Sequence, residues 1–336
     1  MASRSIAIVG SGIAGMTAAY LLAPQYDVTL FEANDYVGGH TNTIEVADAG
    51  RMVAVDTGFI VYNDRNYPNF TKLLDRLGVT GQPTSMSFSV RCDRTGLEYN
   101  GTSTNALFAQ RRNLFRPSFY RMIRDILRFN RESIALLRGD TESVTLGDYL
   151  DQQGYSKQFV EHYIIPMGSA LWSTVPSKMF DFPARYFVQF FDHHGMLTIN
   201  DRPNWFVIRG GSYQYVRALT AGFTERIRLQ SPVTSVRRFD DHVEVTVGGG
   251  ETLRFDEVVL ATHSDQALAM LADPSEDEKR ILGAIPYQEN VAVLHTDRSV
   301  LPRARRAVAS WNYRIPAVPQ DLATVTYNMN ILQTLD

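Results

Sequence analysis

The run Gly10-Ser11-Gly12-Ile13-Ala14-Gly15 determines the fold of this 336-residue chain. It follows Ser5-Ile6-Ala7-Ile8-Val9, a continuous apolar stretch of the kind found in buried parallel strands. Residues 13–23 then repeat apolar side chains at helical spacing, and Pro24 ends the helix. A glycine-rich turn between a strand and a helix is the context in which G-x-G-x-x-G binds a dinucleotide.

An acidic residue ends the next predicted strand, where dinucleotide binding requires one. Residues 27–31 read DVTLF and stop at Glu32, 20 positions after Gly12. Gly10 permits the tight turn, Gly12 lets backbone N–H groups approach a pyrophosphate at the helix N-terminus, and Gly15 lets helix and strand pack closely. Because a carboxylate accepts hydrogen bonds, we expect Glu32 to bind ribose hydroxyls.

Composition limits the classes of protein and partner. The length, with 44% hydrophobic residues, exceeds what one compact domain usually holds and favours two domains. A net charge of -3 and a pI near 6.2 argue against a nucleic-acid partner. The single cysteine, Cys92, cannot form an internal disulfide and fits a reducing compartment. No apolar run reaches membrane-spanning length, so we expect a cytoplasmic protein.

The adjacent histidines His193-His194 are poor candidates for a metal centre. Neighbouring residues on a helix point in directions about 100° apart, so the two imidazoles are badly placed to share one ion. No other histidine or cysteine cluster and no zinc or nuclease spacing supports them, and the sequence therefore predicts no metal site.

A second glycine pair indicates which dinucleotide the chain binds. Val37-Gly38-Gly39-His40 begins five positions after Glu32. This Glu-x5-Gly-Gly pattern, followed by a basic or polar side chain, resembles the extended FAD-binding fingerprint of the flavin-containing amine oxidases, a broad family that also includes carotenoid desaturases and protoporphyrinogen oxidases. The resemblance implies FAD as cofactor and hydride transfer from a substrate C–H bond to flavin N5.

The resemblance continues along most of the chain. A predicted hairpin over residues 43–55 ends in Asp56-Thr57-Gly58-Phe59, which in the family passes close to the flavin ring, although a plain strand-end turn is the alternative. In relatives the residue matching Val233 contacts adenine through its backbone, and Thr262 ends a further apolar strand at the ligand-binding edge. The implied cofactor-binding residues are Gly10, Gly12, Ile13, Ala14, Gly15, Glu32, Ala33, Gly38, Gly39, His40, Thr57, Gly58, Phe59, Val233 and Thr262.

The fold class implied is α/β: an FAD-binding, doubly wound, Rossmann-like domain of the two-dinucleotide-binding-fold type with an inserted α+β substrate domain. The expected bounds are residues 1–84 and 205–275 for the FAD-binding domain, and residues 85–204 and 276–336 for the substrate domain with a helical insert. Residues 291–295 and 323–329 are predicted strands. In relatives the chain ends with a further strand, glycine turn and helix that are not found here. This chain is then either truncated, which we favour and which would make it hold FAD weakly, or a short variant that completes its site through another chain.

The predicted helical insert is rich in arginine and aromatic residues. Residues 111–131 contain seven arginines against one acid, Asp125. They form either a basic amphipathic helix that docks on anionic lipid or an acidic partner, or an ordinary helix with solvated arginines, which we favour. The aromatic residues between Trp172 and Phe191 are either core or a wall that faces the flavin.

Three function classes remain open: an amine oxidase or dehydrogenase, a desaturase or isomerase of an apolar lipid or isoprenoid, and a non-catalytic binder on the same fold. Glu32 and the Gly38-Gly39 pair argue against the binder. No motif identifies a catalytic base, because none of the four lysines, Lys72, Lys157, Lys178 and Lys279, lies in a motif that would place it at the flavin. The expected partner is an amine or apolar small molecule, with the oligomeric state open.

Overall fold

The computed structural model describes residues 4–48, 50–139, 143–318, 320 and 324–335. The strands are β1 (Ser5–Val9), β2 (Asp27–Phe31), β3 (Thr43–Asp48), β4 (Arg51–Asp56), β5 (Val61–Asn63), β6 (Gly81–Thr84), β7 (Phe88–Cys92), β8 (Leu97–Asn100), β9 (Trp205–Ile208), β10 (Ile227–Arg228), β11 (Val233–Arg238), β12 (Val243–Val247), β13 (Thr252–Phe255), β14 (Glu257–Leu260), β15 (Trp311–Ile315) and β16 (Val325–Tyr327).

The α-helices are α1 (Ile13–Leu22), α2 (Pro68–Leu77), α3 (Thr104–Leu107), α4 (Pro117–Glu132), α5 (Leu146–Gln152), α6 (Lys157–Phe159), α7 (Ile165–Trp172), α8 (Ala184–His193), α9 (Tyr213–Thr220), α10 (Ser264–Met270), α11 (Glu276–Leu282) and α12 (Met329–Leu332). Short 3-10 helices cover Arg111–Phe115, Ser133–Leu137, Pro176–Met179, Thr224–Arg226, Arg298–Val300 and Arg305–Ala307, and Val160–Ile164 is a π-helix.

The chain divides into two compact units. The first contains Met1–Ile60, Lys72–Gly81 and Ile208–Val291, and the second contains Val61–Thr71, Gln82–Val207 and Ala292–Asp336. These bounds differ from the predicted domains chiefly at two segments. Residues 61–71, predicted in the FAD-binding domain, belong to the second unit, where β5 pairs with β9. Residues 276–291, predicted in the substrate domain, belong to the first unit, where α11 packs on α10. The assignment of cofactor and substrate to separate domains stays a prediction.

A parallel sheet organises the first unit, with the strand order β10-β2-β1-β14. Ala7 and Ile8 are fully buried, as the continuous apolar run of β1 predicts. Val9 pairs in register with Phe31 of β2 on one side and with Leu260 of β14 on the other, so these three strands end at one edge. From β1 the chain continues to β2 on one side of the sheet, whereas β14 lies on the other side, so β1 marks a topological switch point. Open α/β sheets bind ligands beside such a point, at the carboxyl ends of the strands.

Two antiparallel elements complete the first unit. Strands β3 and β4 form the predicted hairpin, and β11, β12 and β13 form a three-stranded sheet. The alternating apolar residues of β12 pack against Phe31 and Phe255, whose rings meet edge to face at 5.9 Å. This contact joins the antiparallel sheet to the end of β2, where Glu32 follows.

The second unit contains a four-stranded sheet, β16-β15-β7-β8, and most of the helices. In the region of the predicted helical insert, α4 is continued by the 3-10 turn Ser133–Leu137, and α6 is continued by the π-helix Val160–Ile164. Phe129, Phe159, Phe187 and Phe191 are fully buried in its core. The last two belong to the aromatic run, so this part of the run forms core.

The strand predicted over residues 291–295 was wrong, because these residues form no strand. Val291 is 85% exposed and Val293 is 71% exposed. An apolar alternating run becomes a strand only where another strand pairs with it. Instead β15, which the sequence did not single out, pairs in parallel with β7. In the described part of the chain, no helix combines the length and the apolar character needed to cross a bilayer.

Candidate cofactor site

Strands β1 and β14 are neighbours in the parallel sheet, and their carboxyl ends lie side by side at one edge of it. Gly10 adopts a φ of +98°, a conformation that favours glycine, and its N–H donates to the Phe31 carbonyl at 2.9 Å. A Cβ added to Gly10 would lie 2.7 Å from the Ala261 carbonyl oxygen and 3.1 Å from Cγ2 of Thr262. The structure therefore brings the first glycine of the motif and Thr262 together, although 252 positions separate them in the sequence.

The N-terminus of α1 begins at this edge and opens onto free space. Gly12 is the N-cap, and no side chain in the described parts of the sequence caps it. A Cβ at Gly12 would meet no atom within 4 Å, whereas a Cβ at Gly15 would lie 1.9 Å from the Gly10 carbonyl oxygen. The first-turn N–H groups of Ile13 and Ala14 have no partner within the helix, so an anion can bind there.

Glu32 lies behind this turn, and its carboxylate is held by protein donors. Only 7% of the residue is exposed. Oε2 accepts hydrogen bonds from the Ser11 N–H, at 3.0 Å, and from the Ser11 hydroxyl, and Oε1 accepts from the Asn34 N–H at 2.9 Å. Since each carboxylate oxygen accepts about two hydrogen bonds, Oε2 is saturated and Oε1 keeps one free position. The sequence did not identify Ser11 as a partner, because it occupies a variable position of the glycine motif.

The second glycine pair packs directly on the first motif. A Cβ at Gly39 would lie 3.0 Å from Cα of Gly12, and the Gly38 N–H donates to the Ser11 carbonyl at 3.1 Å. Gly38 and Gly39 have φ values of +134° and +58°, which other residues adopt rarely. The two glycine segments therefore form one site beside Gly12.

The Thr57–Phe59 turn closes on the same loop. The Phe59 N–H donates to the His40 carbonyl at 2.7 Å, and the Thr57 N–H donates to the Asn42 carbonyl at 2.9 Å. A Cβ at Gly58 would lie 1.9 Å from the His40 carbonyl oxygen. The backbone of His40 therefore requires glycine here, and the approach of the flavin ring to this turn stays a prediction.

A buried aspartate, Asp56, directly precedes this turn and is fixed in place by hydrogen bonds. Oδ1 of Asp56 accepts hydrogen bonds from the Thr43 hydroxyl at 2.6 Å and from the Ser212 N–H and hydroxyl at 2.8 Å each. Asp56 is 1% exposed, and burial raises its pKa above the usual 3.8 even though these hydrogen bonds lower it. Ser212 is the N-cap of α9, so Asp56 ties that helix to the β3–β4 hairpin.

Three aromatic rings stack next to Thr262. The imidazole of His40 lies 5.7 Å from that of His263 at an interplanar angle of 20°, and His263 lies 4.4 Å from the ring of Tyr287 at 11°. The Tyr287 hydroxyl accepts a hydrogen bond from the Ser264 N–H at 2.9 Å. Sequence analysis missed His263 and Tyr287, and only the position of His263 directly after Thr262 could have indicated the first.

The remaining predicted residues lie beyond Glu32. Ala33 is exposed, and Val233 is half-buried opposite Val247 at a register shift between β11 and β12. The Ser231 N–H donates to the Glu32 carbonyl at 2.8 Å, which brings the start of β11 to the acidic residue. Every predicted site residue therefore belongs to the first unit.

The residues present fit a dinucleotide. The space before Gly12 is open, the helix N-terminus offers N–H donors, and Glu32 keeps one free acceptor position. In residues 4–48, 50–139, 143–318, 320 and 324–335, no group of three or more His, Cys, Asp or Glu side chains could hold a metal ion. His194, which directly follows α8, stacks on Phe190 of that helix with 3.9 Å between the ring centroids.

Comparison with known proteins agrees with this geometry. The profile of the family described as Flavin containing amine oxidoreductase matches residues 13–316. An L-amino-acid oxidase of Siganus canaliculatus is 24% identical over 328 residues, covering 88% of this chain and 57% of that protein. The (S)-6-hydroxynicotine oxidase of Paenarthrobacter nicotinovorans is 25% identical over 290 residues, covering 81% and 63%.

A solved structure of wild-type putrescine oxidase bound to putrescine has a TM-score of 0.62 and 19% identity, covering 83% of this chain and 63% of that one. This likeness confirms the predicted α/β fold class. The chain spans less than two thirds of the length of the relatives it matches. The predicted resemblance is confirmed: the chain belongs to the flavin containing amine oxidoreductase family, and its cofactor is FAD.

Proposed function

We propose that this protein is an FAD-dependent oxidoreductase that removes hydride from a C–H bond of an amine or amino-acid substrate. The observation that carries the proposal is the contact between the two glycine segments around open space at Gly12, with Glu32 behind them. The names of the relatives, an L-amino-acid oxidase and a hydroxynicotine oxidase, support the substrate class. When bound, FAD supplies the acceptor of the hydride at N5.

The proposed roles of the chain's own residues follow from their positions. The N–H groups of Ile13 and Ala14 bind the pyrophosphate, and Gly12 leaves room for it. Oε1 of Glu32 accepts one ribose hydroxyl, while Ser11 fixes the orientation of the carboxylate through Oε2. Gly10, Gly15, Gly38 and Gly39 are needed for the backbone that forms the site.

The other predicted contacts belong to the same proposal. His40, Thr57, Gly58, Phe59 and Thr262 surround the edge of the sheet between the second glycine pair and β14. Ala33 and Val233 lie at the Glu32 end, where the adenosine is expected. We propose that the bound cofactor extends from the Glu32 end of the site to the residues around His40 and Thr262.

None of the lysines is assigned as a catalytic base. Lys157 pairs with Glu161 at 3.4 Å and Lys279 pairs with Glu276 at 2.7 Å, each within its own helical segment. Lys72 and Lys178 are exposed. We propose that the protein supplies binding and orientation and that the cofactor supplies the redox chemistry. The substrate domain, predicted over residues 85–204 and 276–336, and a cytoplasmic location remain proposals drawn from the sequence.

The test is the visible spectrum of the purified protein, followed by anaerobic titration with candidate substrates. We expect a bound-flavin spectrum that bleaches with a primary amine or an L-amino acid. Bleaching by a long-chain unsaturated fatty acid alone would favour a lipid desaturase, and isomerisation of its double bond without lasting bleaching would favour a lipid isomerase. A protein that binds no flavin from a solution of FAD would refute the proposal and would favour the non-catalytic binder.

A further inference from the structure

The segment before and at the start of α4 exposes apolar side chains beside arginines. Phe115 is 86% exposed, Leu114 is 42% exposed and Tyr120 is 47% exposed. Together with Pro117, Arg121 and Arg124 they line an open concavity of about 530 Å³. We call Leu114, Phe115, Tyr120, Arg116, Arg121 and Arg124 the basic apolar patch. All six belong to the second unit.

The packing of α4 does not account for this exposure. The helix buries Phe119, Met122 and Phe129 in the core of the second unit, at 3%, 0% and 0% exposure. A core-facing amphipathic helix explains these residues, with its arginines solvated, as the sequence favoured. It does not explain why an almost fully exposed phenylalanine lies at the end of the preceding 3-10 turn.

The patch carries positive charge without matching acids. Arg116, Arg121 and Arg124 form no ion pair within the described part of the chain. The acid in this stretch, Asp125, is 2% exposed and accepts a hydrogen bond from the Ser156 N–H at 3.0 Å, so it points into the fold. Its carboxylate therefore does not face solvent beside the patch.

The arginines that follow are already engaged. Arg128 lies over the Tyr155 ring at 3.9 Å and donates to the Gln153 carbonyl at 2.9 Å, and Arg131 pairs with Glu132 at 2.6 Å. Upstream, Arg111 donates to the Phe108 carbonyl and Arg112 to the Gly96 carbonyl, so in the described part of the chain the arginine side chains of this stretch without a hydrogen-bond or ion-pair partner are those of Arg116, Arg121 and Arg124. The structure narrows the arginine-rich stretch of residues 111–131 to this shorter surface.

We propose that the basic apolar patch docks on the surface of a bilayer that contains anionic lipids. Phe115 and Leu114 enter the boundary between headgroups and acyl chains, and the guanidinium groups of Arg116, Arg121 and Arg124 bind lipid phosphates. A protruding aromatic side chain on a protein partner would need a matching pocket, whereas a bilayer accommodates it without one. This contact concerns location and is independent of the proposed reaction.

The experiment is flotation of the full chain with two kinds of vesicle, phosphatidylcholine alone and phosphatidylcholine with about one third phosphatidylserine. We expect binding to the anionic vesicles that weakens as salt rises. Each arginine near such a surface is worth about 5-fold in partitioning, so Arg116→Gln, Arg121→Gln and Arg124→Gln combined should reduce binding on the order of 100-fold. Phe115→Ala alone should reduce it roughly 5- to 20-fold.

The matched control removes the same charge elsewhere. Lys72, Arg76 and Arg237 are exposed residues of the first unit, and changing all three to glutamine should leave vesicle binding unchanged. Both triple variants should keep the circular dichroism and the FAD binding of the wild type. Equal binding by the two triple variants, or equal binding to both kinds of vesicle, would overturn the proposal. So would a Phe115→Ala variant that changes the oligomeric state in sedimentation, because the patch would then contact a second copy.

Discussion

Glu32→Gln is the substitution that tests the cofactor site most directly. The side chain keeps its shape but exchanges one carboxylate oxygen for an NH₂ group. Ser11 donates to Oε2 through its N–H and hydroxyl, and Asn34 donates to Oε1 through its N–H. An amide oxygen directed at Ser11 leaves its NH₂ facing the Asn34 N–H, so the Asn34 N–H loses its acceptor.

We expect Glu32→Gln to lower both the affinity for FAD and the stability of the apoprotein, and the two quantities are measured separately. Replacement of the carboxylate weakens the proposed ribose contact by about 1–3 kcal/mol, which raises the Kd for FAD roughly 5- to 150-fold. The loss of this hydrogen bond lowers the free energy of unfolding without FAD by about 1 kcal/mol. Equilibrium dialysis followed by flavin absorbance gives the first quantity, and urea unfolding of the apoprotein gives the second.

Two further variants separate cofactor binding from structure. Glu257→Gln changes an exposed glutamate that pairs with Arg4 at 2.7 Å, and it should alter neither quantity by more than about 0.5 kcal/mol. Ser11→Ala removes one donor from Oε2 and leaves the carboxylate charged, so it should cost stability while the Kd for FAD rises less than in Glu32→Gln. A Kd for Glu32→Gln equal to that of the wild type would refute the proposed ribose contact, whatever happens to stability.

Three other substitutions examine the surrounding structure. Gly12→Val should fold, at a cost of about 1 kcal/mol, because a Cβ there meets no atom within 4 Å, yet it should abolish FAD binding; a yellow variant would contradict the pyrophosphate position. Gly15→Ala should lose about 3 kcal/mol or more of unfolding free energy, since its Cβ would lie 1.9 Å from a backbone oxygen, and a normal urea midpoint would argue against that packing. Because the pKa of Asp56 is raised in the folded state, the folded protein binds more protons than the unfolded chain above pH 3.8, and stability falls as pH rises through the folded-state pKa. Asp56→Asn keeps an oxygen for Thr43 and Ser212 and should flatten this decline, measured by urea unfolding as the pH rises above about 4, whereas an unchanged profile would rule out Asp56 as its source.

The sequence predicted the local part of the site well. Residues 5–40 contain the strand, the glycine turn, the helix and the acidic residue in one continuous stretch, and β1 and β2 have the predicted bounds. These features depend on backbone conformation and apolar spacing over a few residues, which the sequence carries directly. The family resemblance added distant positions, among them Thr262.

The partners of these residues were decided by the tertiary structure. Glu32 is held by Ser11, Asp56 by Ser212 and His40 by stacking on His263, and no local spacing connects the last two pairs. Segments far along the chain approach only when the sheets and helices pack.

The same limit explains the strand that was wrong and the surface that the sequence offered only as an alternative over the whole of residues 111–131. Residues 291–295 have the composition of a strand but no neighbouring strand, while β15 becomes one because β7 pairs with it. Likewise, the sequence contains seven arginines in residues 111–131, but packing determines that Arg128 is engaged and that Phe115 is exposed. Local sequence fixed the conformations that the chain prefers, and tertiary packing decided which side chains found partners, because hydrogen bonds and burial depend on residues distant in sequence.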